Sequence, residues 1–258
     1  MKLHILILIA AFSFACAVVH GFPFEEEEQL NLSAEGVKTL EIDCGSGYLK
    51  VKGVEGLDRI EVKAVLVVKG IEDDEIKQFK EKYVKLSLEK KGSTAMLISE
   101  IKSSGISSLF KHTQARIDLD VRLPKSLALD IDDGSGSIEV SDIDNNVKVD
   151  DGSGSIEMDN IKGDVSIDDG SGSIDLVSIG GNLEIEDGSG LINVKEVSGD
   201  VSVDDGSGPI DIKKVGGSVV VGDGSGSIDI DGVEKDVTIK RDGSGSVSIR
   251  NVNGKIKR

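Results

Sequence analysis

The tetrapeptide Asp-Gly-Ser-Gly begins at Asp133, Asp151, Asp169, Asp187, Asp205, Asp223 and Asp242, at a period of 18 residues with one final step of 19. A unit this short, copied seven times, cannot bury a core alone, so the chain must stack its copies on one another. Five apolar columns recur. The first holds Ile138, Ile156, Ile174, Ile192, Ile210, Ile228 and Val247, and the second, two places on, runs from Val140 to Ile249. The third runs from Ile143 to Val252, the fourth from Val147 to Ile256, and the fifth from Val149 to Ile239, with only Arg258 out of pattern.

Eighteen residues are also five turns of an α-helix, so a helical repeat must be excluded. Each unit has two apolar-polar-apolar triplets, such as Ile138-Glu139-Val140 and Val147-Lys148-Val149, which is strand alternation. At helical spacing the five columns scatter to opposite faces, and Gly-Ser-Gly would break the helix every five turns. Ile and Val suit a pleated surface. The fold class expected is therefore all-β: a parallel β-solenoid of 18-residue coils. Each coil is a strand, a corner at the third apolar column, a second strand and an Asp-Gly-Ser-Gly corner. At about 4.8 Å per layer, seven coils make a rod roughly 34 Å long. Glycine permits close stacking and positive φ at that corner, while Asp and Ser bond neighbouring main chain and otherwise face water. Gly163, Gly181, Gly199, Gly217 and Gly254 punctuate the opposite corner, whose varied sequence implies less geometric demand.

The expected organisation is a signal peptide over 1–21, an acidic flexible start over 22–34, an N-terminal β region over 35–132 and the seven-coil solenoid over 133–258. Lys2, the apolar run from Leu3 to Phe14 and the small residues after it carry the export reading. Cys16 is a candidate lipid acceptor, although the residue three places before it is Ser13 where Leu is usual. Without Cys16, Cys44 has no disulfide partner in the chain. Leu40-Glu-Ile-Asp-Cys-Gly-Ser-Gly47 is a degenerate copy of the repeat, so the solenoid starts there and is interrupted. Strands are expected over 59–68, 84–88, 95–101 and 115–123, a helix over 72–83 and a loop over 102–110. Leu127, Leu129 and Ile131 then join the stack in register with the second strand of a coil.

This arrangement resembles a family of exported bacterial β-strand-repeat proteins often labelled putative adhesins. The residues that carry the likeness are Leu40 to Gly47, Val121-Arg-Leu-Pro-Lys125 and the repeated Gly-Ser-Gly-Ser-Ile and Gly-Asp-Val-Ser-Ile strands, over about residues 35 to 258. The resemblance implies a parallel β-solenoid at the cell envelope, exported to the periplasm, the outer membrane or the cell surface, with no catalytic residues.

Charge narrows the function. A formal net charge of −17 excludes nucleic acid and anionic lipid surfaces as partners, leaving the membrane reachable only through a lipid on Cys16. His4 and His20 lie in the leader, leaving His112, and there is no Trp, so nucleophile–base chemistry is short of parts. An enzyme acting on acidic polysaccharides would need a basic, aromatic side groove, and these coils have no insertion longer than the single residue at Lys240-Arg241. Residues 133–204 hold 18 acids against 3 bases, whereas the last coil holds one acid and four bases, Arg250, Lys255, Lys257 and Arg258. Those cations either discourage β pairing at an edge or dock an acidic partner. The expected partner is an envelope or extracellular protein or glycan, or a second copy of the chain. Glu139, Glu157, Asp175, Asn193, Asp211 and Asp229 should line one face. The corner aspartates Asp133, Asp151, Asp169, Asp187, Asp205, Asp223 and Asp242 form a second ladder and are the candidate metal ligands, with calcium as the cation that an oxygen-only set suits. The calcium-binding nonapeptide β-roll differs in placing Asp after its glycines.

Overall fold

The computed structural model describes residues 23–72, 74–102 and 113–258. The leader, Cys16, His112 and most of the expected loop over 102–110 lie outside them. Within the repeat, short strands alternate between two parallel faces. One face stacks β8 (Val147–Asp151), β10 (Val165–Asp169), β12 (Leu183–Asp187), β14 (Val201–Asp205), β16 (Val219–Asp223), β18 (Val237–Asp242) and β20 (Ile256–Lys257). The other stacks β9 (Gly154–Ile161), β11 (Gly172–Ile179), β13 (Gly190–Val197), β15 (Ile210–Val215), β17 (Ile228–Val233) and β19 (Val247–Val252). The long β7 (Ala128–Ile143) belongs to both. Each residue pairs with the one 18 places on, as Ile156 does with Ile174, or 19 places on into the last coil, so every apolar column becomes a file along the axis, buried as far as the last coil, where Val247, Ile249 and Val252 are half-buried and Ile256 is exposed. This is the parallel solenoid that the period demands. The extra residue at Lys240 is absorbed as a bulge that sets Arg241 opposite Gly222.

The second corner turns one residue before the third apolar column. Asp142, Asn160, Ser178, Glu196, Lys214 and Asn251 all hold φ between 52° and 63° there, and Gly232 takes the place in the sixth coil at φ 80°. A left-handed backbone crowds any Cβ and crowds a β-branched one most. Ser178→Val is therefore expected to cost about 1–2 kcal/mol in urea unfolding, while Ser178→Gly should be close to neutral.

The degenerate copy stacks directly on the first coil: β2 (Thr39–Val54) pairs in parallel with β7 from Thr39↔Ala128 to Lys52↔Ser141. Its other edge takes β5 (Thr94–Ile101) beside its first half and β6 (Gln114–Pro124) beside its second, both parallel. The insertion thus adds one more rung before closing the end. It closes through antiparallel pairing of β4 (Val84–Lys91) on β5 and of β3 (Arg59–Lys69) on β6. Helix α1 (Ile76–Tyr83) buries Ile76, Phe79 and Tyr83, the stripe its spacing dictates, with the two rings 5.4 Å apart. The expectation of a flexible acidic start is corrected here. Residues 24–33 form β1 (Phe24–Ser33), antiparallel on the free edge of β3. Lys63 lies 3.0 Å from Glu27 and Lys80 pairs with Glu26, while Leu30 and Leu32 pack on the core, so the acidic run has both neutralising partners and an apolar footing.

Candidate functional site

The corner aspartates do not face water as solvated turn formers. Asp133, Asp151, Asp169, Asp187, Asp205 and Asp223 are all buried, at 0–6% exposure; Asp242, in the coil that follows the bulge, is exposed. The turn itself aims the carboxyl inward. Oδ1 accepts the backbone N–H two residues on, from Ser153 to Asp151 at 3.1 Å through Ser225 to Asp223 at 2.8 Å. Oδ2 in each of the six has no partner. Stacked in register, they form a carboxyl file along the rod, and the file continues past Asp133 through Cys44 to Ser99, both buried. Burial, reinforced by the negative Asp133 beside it, pushes the pKa of the Cys44 thiol up. Desolvation raises all six aspartates, to about 6 for Asp151, Asp187 and Asp205, with the stacked neighbours adding repulsion in each of those three. Among the described residues no group of three or more His, Cys, Asp or Glu side chains is arranged to hold a metal ion.

The opposite corner is also more demanding than its varied sequence suggests. A Cβ added at Gly163, Gly181, Gly199, Gly217 or Gly254 would sit 2.3–2.6 Å from backbone or Asx atoms of the coil before. The residue after each corner forms a ladder that sequence reasoning missed. Oδ1 of Asn146, Asp164, Asn182 and Asp200 accepts the backbone N–H of Asp164, Asn182, Asp200 and Ser218, each 18 residues on, at 2.7–3.0 Å. Asp236 receives Lys255 likewise. The signal was present as an Asx at 146, 164, 182, 200 and 236, broken only by Ser218, but it lay outside the Asp-Gly-Ser-Gly motif.

The outer acids stack as expected. Glu139, Glu157, Asp175, Asn193, Asp211 and Asp229 are in register, bounded by Lys50, 2.6 Å from Glu139, and by Arg250, 3.0 Å from Asp229. A second exposed ladder joins Asp132, Asp150, Asp168, Glu186 and Asp204, where the bulge lets Arg241 reach over Gly222 to Asp204 at 2.7 Å. Two of the four terminal cations are used locally: Arg250 bonds Asp229, and Arg258 donates to the Val247 carbonyl at 3.1 Å. Lys255 and Lys257 form no ion pair among the described residues.

The chain matches no protein-family model and no curated protein sequence. Solved structures resemble it over nearly their full length. A putative lipid binding protein from Parabacteroides distasonis is 18% identical over 92% of this chain and 97% of its own, with a TM-score of 0.47. A putative cell adhesion protein from Clostridium sporogenes is 13% identical over 91% and 98%, with a TM-score of 0.34. A putative adhesin from Bacteroides fragilis is 13% identical over 90% and 96%, with a TM-score of 0.33. These are proteins that the chain is similar to; its β-solenoid is given by its own in-register parallel strands.

Proposed function

We propose that this protein is an exported, non-enzymatic interaction scaffold of the cell envelope, adhesin-like in action, which holds an envelope or extracellular partner along the flat sides of its rod. The observation that carries this is the register itself. Stacking at 18 residues repeats each exposed side chain at about 4.8 Å, so a partner meets many equivalent weak contacts rather than one centre. The experiment is to delete residues 155–208, three whole coils, which leaves the stacking rule intact. Binding of the labelled protein to washed cell-envelope preparations should weaken by at least about 10-fold, with the fold retained by circular dichroism. Unchanged affinity would mean a single local site and would overturn the scaffold reading.

A calcium-dependent rod is the second reading, favoured by the six buried Oδ2 atoms without a partner. Calcium at neutral pH would then raise the melting temperature and chelator would lower it.

A further inference from the structure

The face built by β8, β10, β12, β14 and β16 carries a groove of about 660 Å3 running from Thr39 and Ala128 to Ser218 and Val220. At one strand spacing per coil this is roughly 29 Å of the rod. Its wall is the Asx ladder. Because Oδ1 of each Asx is held by the N–H of the next coil, the side chains of Asn146, Asp164, Asn182 and Asp200 are fixed in direction. The second atom of each is free: Nδ2 of the asparagines donates and Oδ2 of the aspartates accepts, in alternation. Beside them runs the outward column Lys148, Ser166, Glu184 and Ser202, also alternating between long and small. A serine stands with each aspartate and a long side chain with each asparagine. Over the four coils from Asn146 to Ser202 the groove therefore repeats every two coils, about 9.6 Å, as an amide donor beside a long side chain, then a carboxylate beside open space; its ends, Ala128 with Asp130 and Ser218 with Val220, depart from that pattern.

We propose that this groove binds an extended β-1,4-linked polysaccharide of amide-bearing sugars, laid along the rod axis with one sugar per coil. Successive sugars of such a chain are flipped relative to one another and advance by close to one strand spacing, so like groups face one side at every second sugar. That matches the two-coil alternation. An extended peptide advances about 3.3 Å per residue and presents one face every two residues, so it drifts out of step with the coils. Asp130, Asp164, Glu184 and Asp200 outnumber Lys148 and Lys235, the latter 3.9 Å from Asp200, and so disfavour uronic or sulfated chains. Preset side chains lower the ordering cost of each contact, and affinity accumulates with length.

The inference rests on the scaffold reading and names the ligand chemistry of one face. Its test is calorimetric titration of the full chain with β-1,4-linked N-acetylglucosamine oligomers, the disaccharide, tetrasaccharide and hexasaccharide, with the α-1,4-linked glucose hexasaccharide as control. Affinity should rise at least about 10-fold from disaccharide to hexasaccharide, and the α-linked control should not bind. Ser166→Arg with Ser202→Arg fills the open positions from the outside and should weaken the hexasaccharide about 10-fold with the melting temperature unchanged. No binding of the hexasaccharide at millimolar concentration, equal binding of the α-linked control, or an indifferent double variant overturns the proposal. Should coil-number-dependent envelope binding persist in that case, the groove assignment fails and the scaffold reading stands.

Discussion

Acidification from about pH 7.5 to about pH 4.5 is expected to stabilise this protein, raising its melting temperature by roughly 5–10 °C. Asp151, Asp187 and Asp205 have pKa values near 6 in the folded rod, while an unfolded aspartate titrates near 3.9. Between these values the folded state binds more protons than the unfolded one, so stability falls as pH rises through 6 and is fully present only below about 4. The carboxyls are buried, at 0–6% exposure, but sit in a surface turn whose neighbours on the chain are exposed, so water screens them in part. That reduces the nominal linkage to on the order of 1 kcal/mol per group. Glu27, Asp144, Glu196 and Asp229 act in the opposite sense. Their pKa values are lowered by hydrogen-bonded partners, chiefly Gln29 with Lys63, then Lys162, Lys214 and Arg250, so their contribution is lost as pH falls through the lowered values. Stability should therefore peak between about pH 4 and 5 and decline on both sides.

Asp151→Asn, Asp187→Asn and Asp205→Asn together test the cause. The amide oxygen still accepts the serine N–H, and the charge is gone. The triple variant should melt higher than wild type at neutral pH and show a much flatter pH profile. A wild-type melting temperature that drops steadily from neutral pH downward would refute the buried-carboxyl account, as would a variant with the wild-type profile. If calcium at neutral pH raises the wild-type melting temperature but not that of the variant, a cation, rather than a proton, neutralises the file.

Gly172→Ala should be among the most damaging single-methyl additions in the rod. A Cβ at Gly172 would lie 1.5 Å from the Gly154 carbonyl oxygen and 2.6 Å from its carbon, backbone atoms held by the parallel ladder on both sides. Relief requires parting two coils, at a cost of about 4 kcal/mol or more, which circular dichroism would register as a separate, earlier melting step. Gly45→Ala provides the contrast. It sits at the first Gly of the degenerate Cys-Gly-Ser-Gly corner, where nothing lies within 4 Å of the added carbon, so the change should stay within about 0.5 kcal/mol. Equal effects at the two positions would overturn the account by close approach of stacked corners.

The period, the five apolar columns and the alternation within each triplet were sufficient to specify a parallel solenoid, because only in-register stacking buries every column at once. The start of the stack at Leu40 and its resumption at Leu127 were legible for the same reason; a helix was legible over 72–83, of which Ile76–Tyr83 forms α1. What tertiary structure alone decided is where polar atoms go. Asp is a common turn residue on any surface, and nothing in Asp-Gly-Ser-Gly states that its carboxyl points inward; that follows from how the corner backbone presents the serine N–H once coils are stacked. The acidic run at Glu25 to Glu28 reads as solvated until β3 offers a free edge with lysines beside it. The Asx ladder and its groove exist only between coils, since each side chain is held by a backbone group 18 residues away. Periodicity dictated which residues lie above one another, and the geometry of the corners decided which of their polar groups are buried, which are held and which remain free to bind.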